Sequence, residues 1–182
     1  MLLSTLPDLN RPGYTIRRLF STDADQLQAL FGQCADFFVM TDGVPAKPTA
    51  AATEFVEAPE GKTPQDIDAF GLFDDRDRLL GTLIAVRHYP DAQTWWIGLM
   101  LLAPAQREQG LGAGFYRAFE QWVRRQGATD IALCAIAANT PGQQFWQRQG
   151  FALFRPAGPR SYGTKTHEVY VFRRSLPVAQ LK

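Results

Sequence analysis

Cysteine is nearly missing from this chain, with two residues among 182. Cys34 and Cys134 lie far apart in apolar surroundings and show no CxxC spacing, which excludes a disulfide framework and suits buried free thiols in a reducing, cytoplasmic compartment. No metal site is expected. An excess of one charge is missing too. Nineteen Lys and Arg against eighteen Asp and Glu leave a formal charge of +1, so no global field draws the chain to nucleic acid or to an anionic membrane. No apolar run approaches the roughly 20 residues of a membrane span. The segment from Met1 to Asp8 has no basic stretch leading into a long apolar one, so neither insertion nor secretion is expected. Internal repeats, low-complexity tracts and convincing linkers are also lacking, and the length suits one domain over residues 1–182.

What is present is the material of a packed interior: 46% hydrophobic and 12% aromatic residues beside 20% charged ones. Tyr14 to Leu19 reads as a strand, and Thr22 to Asp25 offers a capping-box pattern for a helix running to about Cys34. The stretch from Thr41 to Gln65 is the least regular, with a short helix expected from Thr49 to Glu57 between proline-bearing loops. Phe70 to Phe73 and Leu79 to Arg87 form a predicted hairpin about the turn Asp74 to Asp77, and Thr94 to Leu102 a further strand. Leu111, Phe115, Phe119, Trp122 and Val123 recur at the spacing of one buried helical face between Gly110 and Gln126. Asp130 to Ala137 is apolar almost throughout, as for a strand covered on both faces. Thr140 and Pro141 open a short helix that stops at Gly150. Phe151 to Arg155 and His167 to Arg173 read as the last strands. These elements suggest an α/β (α+β) domain, one mixed sheet with helices on both faces.

Chemistry concentrates in the loop from Ala103 to Gly114. Glycines at 110, 112 and 114 strip side chains from a helix N-terminus, where unpaired N–H groups and the positive end of the dipole receive anions. A Walker A loop would need a Gly-Lys-Ser/Thr ending, and GxGxG is not the dinucleotide fingerprint GxGxxG. A kinase glycine loop lies between two strands, not at a helix start.

The run Arg107-Glu-Gln-Gly110-Leu-Gly112 instead satisfies Gln/Arg-x-x-Gly-x-Gly/Ala directly after a strand and Pro104. A second signature follows at Asn139, with Phe145-Trp146 and Gly150-Phe151 closing a short helix. In these two ordered motifs, over roughly residues 79–151, the chain resembles the GNAT family of N-acetyltransferases. The resemblance implies a mostly antiparallel seven-stranded sheet, splayed between strands 4 and 5, with acetyl-CoA as co-substrate in the gap. It implies that main-chain groups near Leu101 and Leu102 pair with the pantetheine arm. The loop Arg107, Glu108, Gln109, Gly110, Leu111, Gly112 and Ala113 would then hold the pyrophosphate, with Asn139 and Trp146 toward the reacting end. Glu108 is expected to face solvent, Asn139 serves equally well as a turn former, and Trp146 as a packing residue.

Thioester aminolysis rests mainly on positioning, together with a base for the amine and an optional acid for the sulfur. Where many family members carry a tyrosine acid this chain has Trp146, whose indole cannot act as one. Tyr162 and Tyr170 are the candidate replacements, unassisted departure of the thiolate being the other route. His88, Asp91 and His167 are the candidate bases, each also readable as a turn or surface residue. The acceptor walls are expected from residues 20–67 and from Ala157 to Thr166, with the terminal strands over residues 151–175. Glu54, Glu57 and Glu60 hint at a cationic amine of a small molecule, peptide or lysine. A homodimer is compatible with this reading, and an acyl-CoA-binding sensor without turnover, or a nucleotide-binding domain of another fold, are the alternatives.

Overall fold

The computed structural model describes residues 9–177. The segment from Met1 to Asp8 and the tail after residue 177 lie outside the described residues. Seven strands form one sheet in the order β1-β2-β3-β4-β5-β7-β6. They are β1 (Tyr14–Arg18), β2 (Ile67–Asp74), β3 (Leu79–Val86), β4 (Thr94–Leu102), β5 (Asp130–Ile136), β6 (Ala152–Tyr162) and β7 (Lys165–Ser175). Every neighbouring pair is antiparallel except β4 and β5. A parallel pair needs a crossover, supplied here by the helix α4 (Leu111–Arg125).

Helices cover both faces because the central strands are apolar on both sides. Phe70, Leu72, Leu83, Trp95 and Ile97 pack against Phe115, Phe119, Trp122 and Val123 of α4, the spacing read from the sequence. On the other face Ala69, Phe73, Ile84 and Leu101 meet Leu27, Leu30 and Phe31 of α1 (Ala24–Gln33) and Phe38 of α2 (Ala35–Asp42). Each such fully buried side chain contributes about 1.5–3 kcal/mol. Two further helices are short, α3 (Ala50–Thr53) and α5 (Thr140–Arg148).

The fold departs from the sequence reading in four places. Helix α2 occupies residues assigned to no element. The helix expected over Thr49 to Glu57 contracts to α3. The carboxylate of Asp23 accepts the main-chain N–H of Phe20 at 2.9 Å and does not cap α1, which starts without a side-chain cap. The two terminal strands run well past Phe151 to Arg155 and His167 to Arg173, so Ala157 to Thr166 belongs to a hairpin. Its turn docks on the end of α2, where Thr164 donates its main-chain N–H to Asp42 O at 2.8 Å.

Candidate active site

Strands β4 and β5 pair only from Thr94 opposite Asp130 to Ile97 opposite Leu133, although both continue beyond. The parting begins at a β-bulge. Ile84 of β3 faces Leu99 while Ala85 faces Ile97, so Gly98 is the extra residue. A bulge bends its strand and increases the local twist, and here it turns the rest of β4 away from β5. The bulge also shifts the side-chain alternation: Met100 and Leu102 join Trp95 and Ile97 on the α4 face, while Leu99 and Leu101 turn to the α1 face.

The main-chain edge of β4 beyond the bulge is open toward β5. Ala103 donates its N–H to Leu80 O at 2.8 Å, which makes Leu102 and Gly81 a non-hydrogen-bonded pair. Antiparallel alternation then directs the N–H and C=O of Leu101 to Thr82 in β3 and those of Met100 and Leu102 into the gap. Of the two residues expected to offer main-chain groups there, Leu102 does so and Leu101 does not; Met100 takes its place. The Leu102 carbonyl already accepts from Arg107 Nε at 3.0 Å and from Cys34 Sγ at 3.4 Å.

At the open end of the gap the chain passes through a short 3-10 turn, Pro104–Gln106, into α4. Glu108 and Gly110 both take left-handed conformations, φ 61° and 76°. For Gly110 this is free of steric cost, and a Cβ there would meet nothing within 4 Å, so the helix entrance is bare. The first intrahelical bond runs from Gly114 N–H to Gly110 O at 3.1 Å, leaving the N–H groups of Leu111, Gly112 and Ala113 without an intrahelical acceptor. Gly112 is closely packed: a Cβ would stand 3.2 Å from Leu102 Cδ1 and 3.4 Å from Phe145 Cε2. The Arg107 side chain leaves the loop mouth and pairs with Asp36 of α2. Glu108 and Gln109 are exposed.

Between the parted strands lies a cleft of about 250 Å³, lined among others by Met100, Cys134, Asn139, Trp146, Arg160 and Tyr162. Asn139 is the N-cap of α5, its Oδ1 accepting Gly142 N–H at 3.0 Å. Trp146 packs edge-on against Tyr116, Phe145 and Phe151, with ring centroids 4.9–5.6 Å apart, and contributes to the wall as well. Burial holds the half-buried Tyr162 hydroxyl above its usual value, so it stays protonated near neutral pH. Tyr170 packs with the α4-side core, whereas its neighbours Val169 and Val171 line the cavities. The structure therefore brings Tyr162 to the cleft and not Tyr170. Cys134 is half-buried at this wall and not in a closed core.

A second cavity of about 300 Å³ adjoins the first, sharing Trp96, Gly98 and Arg160 with it. Its walls come from segments distant in sequence: Glu54 and Glu57 after α3, Tyr89 and Pro90 from the β3–β4 turn, Arg155 and Arg160 from β6. Burial, with repulsion from Glu57, pushes the Glu54 carboxyl up to about 7. A carboxyl so shifted exchanges protons near neutral pH. The sequence alone groups Glu54 and Glu57 with Glu60 as acceptor contacts only; Glu60 is exposed and not part of this wall. The sequence signal for Glu54 is slight, a single carboxylate between Thr53 and Phe55.

The other candidate bases are engaged elsewhere. His88 Nδ1 lies 2.6 Å from Ala92 O. Asp91 accepts from Thr94 Oγ1 at 2.8 Å and from Gln93 N–H at 3.0 Å, which holds its carboxyl below the usual range. Both stabilise the turn entering β4, at the closed end of the gap. His167 Nε2 stands 2.8 Å from Thr41 O and joins β7 to α2. Among the described residues no cluster of His, Cys, Asp and Glu could hold a metal ion, and no helix is long and apolar enough to cross a membrane.

Residues 33–151 match the acetyltransferase (GNAT) family. No curated protein matches the chain. Among solved structures, an acetyltransferase from Thermus thermophilus is similar at 20% identity and a TM-score of 0.74, over 90% of this chain and 97% of its own. An acetyltransferase from Salmonella typhimurium that modifies the N-terminal serine of ribosomal protein L7/L12 is similar at 13% identity and 0.74, over 94% and 98%. The PaiA N-acetyltransferase from Thermoplasma acidophilum, solved with coenzyme A, is similar at 16% identity and 0.68, over 90% and 99%. At these identities the likeness is one of fold.

Proposed function

Since the chain belongs to the GNAT family of acetyltransferases, we propose that it transfers the acetyl group of acetyl-CoA directly to a primary amine. The observation that carries this reading is the gap opening at Gly98, beside the bare N-terminus of α4. Acetyl-CoA supplies an activated thioester carbonyl and a stable leaving thiolate. The N–H groups of Leu111, Gly112 and Ala113, with those of Glu108, Gln109 and Gly110 before them, receive the pyrophosphate. The main-chain groups of Met100 and the N–H of Leu102 pair with the pantetheine arm as an added strand would.

Asn139 and Trp146 line the reacting end, and Tyr162 donates a proton to the departing sulfur. The acceptor enters through the adjoining cavity, where Glu54 takes the proton of the ammonium group so that the neutral nitrogen attacks. Holding both reactants across the shared wall at Gly98 supplies the main rate advantage, by proximity.

The test combines a calorimetric titration of acetyl-CoA with a thiol-release assay over an amine panel. Micromolar binding with amine-dependent release of CoA is the expected result; absence of both defeats the reading. Trp146 at the tyrosine position favours one second reading, an acyl-CoA-binding sensor, for which binding without release across the panel is the signature.

A further inference from the structure

Four charged side chains face the second cavity, two of each sign, and they do not neutralise one another. Glu54, Glu57, Arg155 and Arg160 all line it, yet no ion pair between described residues includes any of them. Arg18, Arg87, Arg107, Arg124, Arg173 and Arg174, by contrast, each meet a carboxylate. Among the described residues the Arg155 guanidinium finds only a 3.3 Å contact to the neighbouring Pro156 carbonyl. With no ion pair formed across the cavity, each charge is available to a ligand group of the opposite sign.

The two signs occupy different places. The carboxylates come from the segment after α3, while both guanidiniums come from β6, and Arg160 also reaches the acyl cleft beside Cys134. Tyr89 and Trp96, ring centroids 5.7 Å apart and nearly perpendicular, form an aromatic wall between the turn and the bulge. At about 300 Å³ the cavity lies at the lower end of small-molecule sites, about 300–1,000 Å³.

Resting on the acetyltransferase reading above, we infer that the acceptor is a small amino acid, its ammonium group received by Glu54 and Glu57 and its carboxylate by Arg155 and Arg160. The guanidinium fork matches a carboxylate with two parallel hydrogen bonds, which an uncharged amine lacks. Glu54 takes one proton from the ammonium nitrogen. The nitrogen lone pair bonds to the acetyl carbon, the carbon–sulfur bond breaks, and its electron pair leaves on the CoA sulfur. A second proton passes from nitrogen to solvent and the thiolate is reprotonated, giving the N-acetyl amino acid, CoA and one proton.

Thiol release is measured for each of the twenty amino acids beside its decarboxylated amine and its carboxamide, with acetyl-CoA saturating. For the preferred amino acid, kcat/KM exceeds that of the matched amine and amide by at least tenfold. Arg160→Gln removes most of that preference, chiefly through KM, whereas Glu54→Gln acts on kcat and abolishes the rise in rate around pH 7. Glu57, Tyr89, Arg155 and Arg160 face Glu54 across the same cavity, so the profile is read in each variant. Amines or amides used as well as amino acids, or a preference that survives Arg160→Gln and Arg155→Gln together, overturn the acceptor assignment and leave the transferase reading standing. Silence across all three groups, with acetyl-CoA bound, overturns both.

Discussion

The guanidinium of Arg107 grips both carboxylate oxygens of Asp36, with Nη2 3.1 Å from Oδ1 and Nη1 closing on Oδ2, while its Nε donates to Leu102 O at 3.0 Å. One side chain thus joins the loop before α4, α2 and the end of β4, and it holds the Asp36 carboxyl below its ordinary value. The pair is largely solvent-exposed, so its own worth is small. Arg107→Ala is expected to cost about 1 kcal/mol, mostly for the bond to the Leu102 carbonyl, and Asp36→Ala less. Urea unfolding of the single and double variants should give a coupling of about 0.2–0.5 kcal/mol. Full additivity would show that the bidentate contact does nothing for stability.

Gly112→Asp is expected to abolish acetyl-CoA binding, because the carboxylate would stand at amides reserved for a diphosphate and carry the same sign. Its Cβ must also displace Leu102 by a few tenths of an ångström, at a stability cost of about 1–3 kcal/mol. Circular dichroism should show a folded protein and calorimetry no heat of acetyl-CoA binding. Wild-type affinity in that folded variant would contradict the placement of the pyrophosphate.

The sequence makes some of these elements legible and hides others for identifiable reasons. Strand β4 can be bounded at both ends because Asp91 builds the turn before it and Pro104 stops it. Helix α4 is legible because Leu111, Phe115, Phe119, Trp122 and Val123 fall on one face. Helix α2 has no such face: Phe37, Phe38, Val39 and Met40 run together, and only Cys34 separates it from α1. Pro156, Gly158 and Pro159 conceal β6. The strand tolerates them because it lies at the sheet edge and two register shifts, at Leu153/Arg155 and Pro156/Gly158, absorb the irregularity. The glycine-bearing loop from Arg107 to Gly112 is contiguous and can be read directly. The second cavity cannot, since Glu54, Tyr89 and Arg160 meet only after the sheet forms.

Tyr162→Phe tests the replacement for the missing acid. With the hydroxyl at the cleft wall and protonated at neutral pH, its loss should lower kcat by about 10- to 100-fold, toward the low end of general-acid contributions. The alkaline limb of the rate profile should move with it. Trp146→Tyr restores a phenol to the same wall, so it should recover part of the rate in the Tyr162→Phe background. An unchanged kcat in Tyr162→Phe would mean that the thiolate departs unaided.

Cys134 reports on occupancy of the cleft. It is half-buried there, and burial raises its thiol above the ordinary value despite the opposing charges of Arg160 and Arg155. Cys34 is fully buried. Iodoacetamide should therefore label Cys134 first, slowly at pH 7 and faster as pH rises. Acetyl-CoA should protect it in proportion to saturation, as counted by mass spectrometry. Equal labelling with and without acetyl-CoA would place the acyl arm away from β5.

Asp130 pins the closed end of the gap. Its Oδ1 accepts from Arg173 Nε at 3.0 Å and Ser175 Oγ at 2.8 Å, and its Oδ2 from Thr129 Oγ1 at 2.8 Å. Arg173 extends the clamp to Thr94 Oγ1 at 3.4 Å, the residue opposite Asp130 in the first rung of the parallel ladder. These bonds, that to Arg173 foremost, hold the Asp130 carboxyl below its ordinary value. A carboxyl depressed by folding stabilises the native state above its unfolded value, near 3.9 for Asp, and that contribution fades as pH falls through the lower native value. Asp130→Asn should thus cost about 1–3 kcal/mol at pH 7 and much less at pH 2–3, measured by urea unfolding at both. An equal cost at the two pH values would show that shape and not charge holds the strands together there. With the clamp loosened, the parting at Gly98 can spread toward Thr94, so the KM for acetyl-CoA should rise in Asp130→Asn while Arg173→Lys, which keeps the charge but loses the fork, shows a smaller rise.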